Sequence, residues 1–172
     1  MGTAFEIGLI LNLQPELASE DIETLEYMTR SQDYDFQTLL DDALFTESDE
    51  WRSIIANTEI EYEQKYRSQL RRSVFSNNQL CFRIEIGDDW CWSGPWDWFL
   101  DWLFLISTDE GLVGYMIDIT KFKTELIYFE KSGITLQVVD DFKVPSNLVD
   151  SLSESLGGAG NIDFKLWDAS EA

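Results

Sequence analysis

Residues 80–120 constrain the fold more than any other part of the sequence. The segment begins with apolar residues at every second position, among them Phe82 and Ile84, which is typical of a strand with one buried face. A dense apolar run then predicts a helix over residues 95–107 with little surface left for water, and renewed alternation over 113–119 predicts another strand. The segment therefore predicts a strand, a helix and a strand built around one core.

Further elements extend this unit in both directions. The same reasoning predicts a strand over 5–13, a helix from an N-cap at Ser19 to about Thr29, a hairpin of 70–76 with 80–86, strands over 126–129 and 134–139, and a short helix after Pro145. This order predicts an α+β fold with a mixed or antiparallel sheet and two main helices packed on one face, an elaborated ferredoxin-like plan.

Composition sets the domain count. The chain has 172 residues, of which 44% are hydrophobic and 14% aromatic, so it can bury a substantial core despite a net charge of −21. We expect one α+β domain over residues 1–156. Residues 157–172 begin with a glycine-rich break and are expected to form a C-terminal tail or an edge strand.

The sequence predicts neither a membrane-spanning helix nor a secretory signal peptide. Asp97 and Asp101 interrupt the most apolar segment before it reaches the roughly 18 residues that a spanning helix needs, and the N-terminus lacks a basic start. We therefore expect a cytoplasmic protein. The two cysteines, Cys81 and Cys91, are expected to be free, buried thiols.

The sequence offers little catalytic chemistry. It contains no histidine, which removes Ser-His-Asp and Cys-His nucleophilic schemes and His-ligated zinc. A carboxylate pair such as Asp88 with Asp97 or Asp101, set among tryptophans, has the residue types of a glycosidase site, but helix capping and solvent exposure explain these acids more simply. We therefore expect a protein without catalysis and without a cofactor.

No metal site is expected either. Residues 33–37 begin like a calcium-binding loop, but Thr38 and Leu44 stand where an EF-hand needs glycine and glutamate. The same acids are explained by an ordinary acidic surface.

Tryptophans concentrate in the central segment. Trp98 and Trp102 lie one helical turn apart, while Trp90, Trp92 and Trp96 lie in the preceding loop. Core packing accounts for most of this cluster. The other interpretation is that one or two exposed rings act as binding anchors, since tryptophan is enriched among interface hot spots.

Acidity is the second functional signal, because 33 Asp and Glu face only 12 Lys and Arg. Such a field repels nucleic acid and anionic lipid and attracts basic proteins. Carboxylates on a rigid surface can occupy a basic groove, as in nuclease-immunity proteins and inhibitors that imitate DNA. Two other interpretations remain open, namely solvation in a salt-rich cytoplasm and an ordinary domain with a solvated acidic surface.

We therefore expect an acidic, non-catalytic binding or inhibitor protein, of the immunity type or a nucleic-acid mimic. Its partner is a basic protein, such as a nuclease or another nucleic-acid-binding enzyme, and it binds neither nucleic acid nor membrane directly. The predicted partner-binding residues are Asp33, Asp35, Asp41, Asp42, Glu47, Asp49, Trp90 and Trp92. The alternative is a small-molecule or carbohydrate binding domain, or an enzyme, that uses the tryptophan loop with Asp88, Asp89 and Asp97.

Overall fold

A computed structural model describes residues 4–29, 54–55, 73–87, 95–139 and 144–156. Its elements are β1 (Ala4–Asn12), α1 (Ser19–Met28), β2 (Ser73–Ser76), β3 (Gln79–Gly87), α2 (Pro95–Ile106), β4 (Gly111–Asp118), β5 (Lys123–Glu130), β6 (Gly133–Val139) and α3 (Ser146–Ser155). The strands form one antiparallel sheet in the order β2-β3-β1-β4-β5-β6.

The predicted N-terminal strand is confirmed as β1, and it lies inside the sheet. Its residue Ile7 lies opposite Ile84 of β3 on one side and Met116 of β4 on the other. Because side chains alternate along a strand, these three apolar residues point to the same face of the sheet. All three are buried, which explains the strict alternation of the sequence in this region.

Both faces of the sheet carry a core. On one face, the odd-numbered residues of β1 pack with α1 and α2, through residues such as Leu25 and Phe99. On the other face, Tyr115 of β4 packs with α3, whose Leu148 and Leu152 are four residues apart and therefore share one side of the helix. The sheet is thus a central layer, with α1 and α2 on one face and α3 on the other.

The predicted fold class, an elaborated ferredoxin-like plan with two main helices packed on one face, is wrong, because a third helix packs on the other face and the strands do not follow that plan. The structure is mainly a six-stranded antiparallel sheet with three short helices, and strands account for more of the described residues than helices do. The short helix predicted after Pro145 is confirmed as α3, and it is as long as α1. Because its apolar residues recur with helical spacing, it buries a second core on the face that the prediction left without a helix.

Local sequence fixes the β2–β3 hairpin. Asn77 and Asn78 both adopt positive φ, at 51° and 56°, as the predicted asparagine turn requires. The helix start is different from its prediction, because Ser19 is the first residue of α1 and Ala18 precedes it without a side-chain cap. None of the described helices is both long enough and apolar enough to cross a bilayer.

Candidate partner-binding surface

The eight predicted partner-binding residues lie outside the described residues. These are Asp33, Asp35, Asp41, Asp42, Glu47, Asp49, Trp90 and Trp92. Asp88, Asp89 and Cys91 also lie outside them, whereas Asp97, Trp98 and Asp101 lie on α2.

The charged residues on the outer sides of the described helices are all acidic. None of the three contains a lysine or an arginine. Their exposed carboxylates are Glu20, Glu23, Glu26, Asp97, Asp101, Asp150 and Glu154. These groups add negative charge to the outer side of each helix.

A hydrogen bond places α1 beside α2. The indole Nε1 of Trp102 donates to Oδ1 of Asp21 at 3.1 Å, and both helices bury apolar residues in the same core. The outer sides of α1 and α2 therefore belong to one layer. We call its exposed residues the acidic helical face: Glu20 and Glu23 of α1, with Asp97, Trp98 and Asp101 of α2.

Trp98 is the aromatic residue of this face. It is 41% exposed, whereas Trp96 and Trp102 are each 3% exposed. At 100° per residue, Trp98 falls with Asp97, Asp101 and Leu105 within an arc of about 100° on the helix, and all four are exposed. The outer strip of α2 thus presents two carboxylates, a leucine and an indole, with the indole at one edge of the arc.

These exposures correct two predictions about the tryptophan segment. Trp96 was placed in the loop, but it lies in the first turn of α2 and is buried against Phe82 and Phe99. The expectation that α2 has little surface facing water is also wrong, since Trp98 and Leu105, which is 66% exposed, point outward. The apolar run hid the orientation because apolar residues stand on both sides of the helix.

A buried polar network on the opposite face of the sheet was not predicted. Arg83 donates from Nε and Nη2 to Oε1 and Oε2 of Glu6, at 2.9 and 3.1 Å, and the Tyr115 hydroxyl donates to the same Oε1 at 2.8 Å. The network joins β3, β1 and β4. Gly8 makes room for it, since a Cβ there would lie 2.4 Å from the Tyr115 ring.

This network is structural in character. Burial and then the Glu6 carboxylate raise the pKa of Tyr115 well above its usual range, so the phenol remains a neutral donor. Arg83, one of four basic residues among those described, is committed to Glu6. The sequence signal was a glutamate and an arginine on the second face of two predicted strands, but their pairing depends on strand order, which the sequence did not give.

Cys81 is a free, buried thiol, as predicted. Burial raises its pKa to about 12, although a hydrogen bond with Ser155 of α3 lowers it in part. The thiolate that nucleophilic or metal-binding chemistry needs is therefore scarce at neutral pH. Within the described part of the chain, no three His, Cys, Asp or Glu side chains are grouped as a metal site.

Comparison with models of protein families, with curated proteins and with solved structures gave no match.

Proposed function

We propose that this protein is an acidic, non-catalytic binding protein of the cytoplasm, which docks on the basic surface of another protein and inhibits it. The partner class is a nuclease or another nucleic-acid-binding enzyme, because such enzymes carry the basic groove that a carboxylate-rich surface fits. The single observation that carries the proposal is the acidic helical face, where exposed carboxylates of helices without Lys or Arg occur in the same layer as the half-exposed ring of Trp98.

The charge of the chain supports the choice of a positively charged partner. The net charge of −21 gives a long-range field that speeds encounter with a basic protein and slows encounter with nucleic acid or another acidic protein. Carboxylates at an interface contribute mainly to association rate and specificity. High affinity also needs a side chain that becomes buried at the centre of the interface, because charges at its rim contribute little on their own.

Trp98 supplies such an anchor. Tryptophan offers a large apolar surface at low entropy cost, and its ring face attracts the guanidinium or ammonium groups of a basic partner. The ring is held by a helix whose other side is buried in the core, so little further ordering is needed on binding. The acids Asp33, Asp35, Asp41, Asp42, Glu47 and Asp49, with Trp90 and Trp92, belong to the same proposal as further contacts.

Partner recovery and competition test this function. The tagged protein is incubated with extract of its native host at low salt, and bound proteins are eluted with a salt gradient. The proposal expects that the recovered protein is basic and binds nucleic acid. It also expects that this chain displaces a short DNA or RNA duplex from that protein. Formation of a stable ternary complex with the duplex would contradict the mimicry, because both ligands would then occupy different sites.

The alternative, binding of a small molecule or carbohydrate, rests on the same exposed ring, since an indole face also stacks on sugars. A glycan or metabolite that quenches the Trp98 fluorescence, with affinity insensitive to salt, would favour it over docking on a basic protein. Comparison of the fluorescence change of Trp98→Phe with that of wild type shows whether Trp98 is the tryptophan that responds.

A further inference from the structure

The outer edge of the sheet at β6 differs from the rest of this acidic chain. The strand, Gly-Ile-Thr-Leu-Gln-Val-Val, contains no charged residue and no proline. It pairs with β5 in continuous register from Thr124 opposite Val139 to Glu130 opposite Gly133, without a bulge. Among the described strands, β5 is its one neighbour.

Edge strands are normally protected. Natural proteins shorten them, charge them, interrupt them with proline or twist them with a bulge, because a free edge invites pairing with another strand. The opposite edge of this sheet, β2, has four residues, whereas β6 has seven and carries none of these protections. Leu136 and Val138 point to the same face and are 47% and 49% exposed.

We propose that β6 is a self-association surface, on which β6 of a second copy of this chain adds antiparallel. The proposal goes beyond docking on a basic partner and uses a different element. An uncharged strand offers nothing to a basic partner, but two chains of charge −21 can pair along it without placing a charged residue on either pairing strand.

The pairing is self-complementary. With a two-fold axis through Gln137, Leu136 of each copy lies opposite Val138 of the other, on the same face of both sheets. Cross-strand apolar pairs of this kind stabilise an antiparallel ladder, and the two sheets become one continuous sheet. Because the whole chains repel each other, added salt strengthens the dimer, whereas it weakens docking on a basic protein.

Light scattering coupled to size exclusion tests the dimer, over a concentration series at low and high salt. Wild type is expected to shift from one to two copies as concentration and salt rise. Leu136→Lys/Val138→Lys is expected to raise the dimer dissociation constant at least about tenfold, because lysines then face each other across the two-fold axis. Leu105→Lys/Phe122→Lys makes the same charge change at two other exposed apolar residues and is expected to dimerise like wild type.

A monomer at every concentration and salt would overturn the proposal, and so would a β6 variant that dimerises like wild type. Amide hydrogen exchange on wild type gives a readout that requires no variant to fold. Exchange over residues 133–139 is expected to slow as the dimer forms, and unchanged exchange there in a dimeric sample would place the interface elsewhere. Neither result depends on whether the chain binds a basic partner.

Discussion

Trp102 of α2 and Asp21 of α1 are joined by a hydrogen bond of 3.1 Å from the indole Nε1 to Oδ1, and the ring that makes it is 3% exposed. The same side chain therefore fills the core and couples the two helices of the acidic helical face. The position of Trp98, one turn earlier on α2, depends on how Trp102 holds the helix against α1 and the core.

Trp102→Ala is expected to lower the free energy of unfolding by about 3–5 kcal/mol, because a large buried aromatic leaves a cavity that its neighbours fill only in part. Trp102→Phe keeps a ring in the core but removes the donor to Asp21, so its loss should be smaller. Urea unfolding measures both. A loss below about 1 kcal/mol for the alanine variant would contradict the buried position of the ring.

Arg83→Met is expected to destabilise the fold by about 3–5 kcal/mol, because it leaves the Glu6 carboxylate buried without its cation. Glu6→Gln/Arg83→Met should recover a large part of that loss, since the neutral amide still accepts the hydrogen bond from Tyr115. A double-mutant cycle measures the coupling, with the free energy of urea unfolding determined for wild type, Glu6→Gln, Arg83→Met and the double variant. If the double variant lost the sum of the single losses, Glu6 and Arg83 would not be coupled.

Phe122 lies in the turn between β4 and β5 with φ at 54°, although it is a bulky residue, and its side chain is 59% exposed. The left-handed region costs an ordinary L-residue about 1–2 kcal/mol, and asparagine tolerates it better. Phe122→Asn should therefore stabilise the protein by up to about 1 kcal/mol. Asn77 and Asn78 already show this solution in the β2–β3 turn. Destabilisation on thermal unfolding would mean that the contacts of the phenyl ring outweigh the backbone strain.

Asp118 ends β4 and gives the fold a pH dependence. Burial on its own would raise the pKa of this carboxyl, but hydrogen bonds from the Thr120 hydroxyl and from the backbone N–H of Lys121 and Thr120, with the Lys121 ammonium, lower it below 3.8. A lowered folded-state pKa contributes stability above the unfolded value, near pH 4, that is lost as pH falls through the folded value.

Asp118→Asn should therefore be less stable than wild type at pH 7, and the difference should shrink below about pH 4. Urea midpoints between pH 7 and pH 3 measure it, with Asp101→Asn as a control that removes an exposed carboxylate. A difference that grew as pH fell would contradict the sign.

Strands and turns were predictable where one face is buried and the other is not. The alternation at Ile7 and Ile84 predicted β1 and β3, and Asn77 with Asn78 predicted the turn before β3, because these signals are local. The sheet order was not local information. It decides that Glu6 meets Arg83 and Tyr115, so the buried network was missed although each residue was visible in the sequence.

The orientation of α2 could be predicted only in part. Its acids Asp97 and Asp101 marked the outer side correctly, but Trp98 lies on that side despite its apolar ring. Aromatic residues are usually buried, and the local pattern did not distinguish Trp98 from its buried neighbours Trp96 and Trp102. The predicted binding residues between Asp33 and Asp49 lie outside the described residues, so that part of the site remains a prediction.

Association kinetics with the recovered basic partner test the central claim most directly. Asp97→Asn/Asp101→Asn on α2 and Asp150→Asn/Glu154→Gln on α3 remove the same charge from opposite faces of the sheet, and thermal unfolding verifies that both variants fold. At low salt the α2 variant is predicted to associate about three- to tenfold more slowly than wild type, and the α3 variant within about twofold of wild type, with the difference vanishing at high salt. Equal rates for the two variants would contradict the account, because the acidic helical face would then contribute no more than net charge.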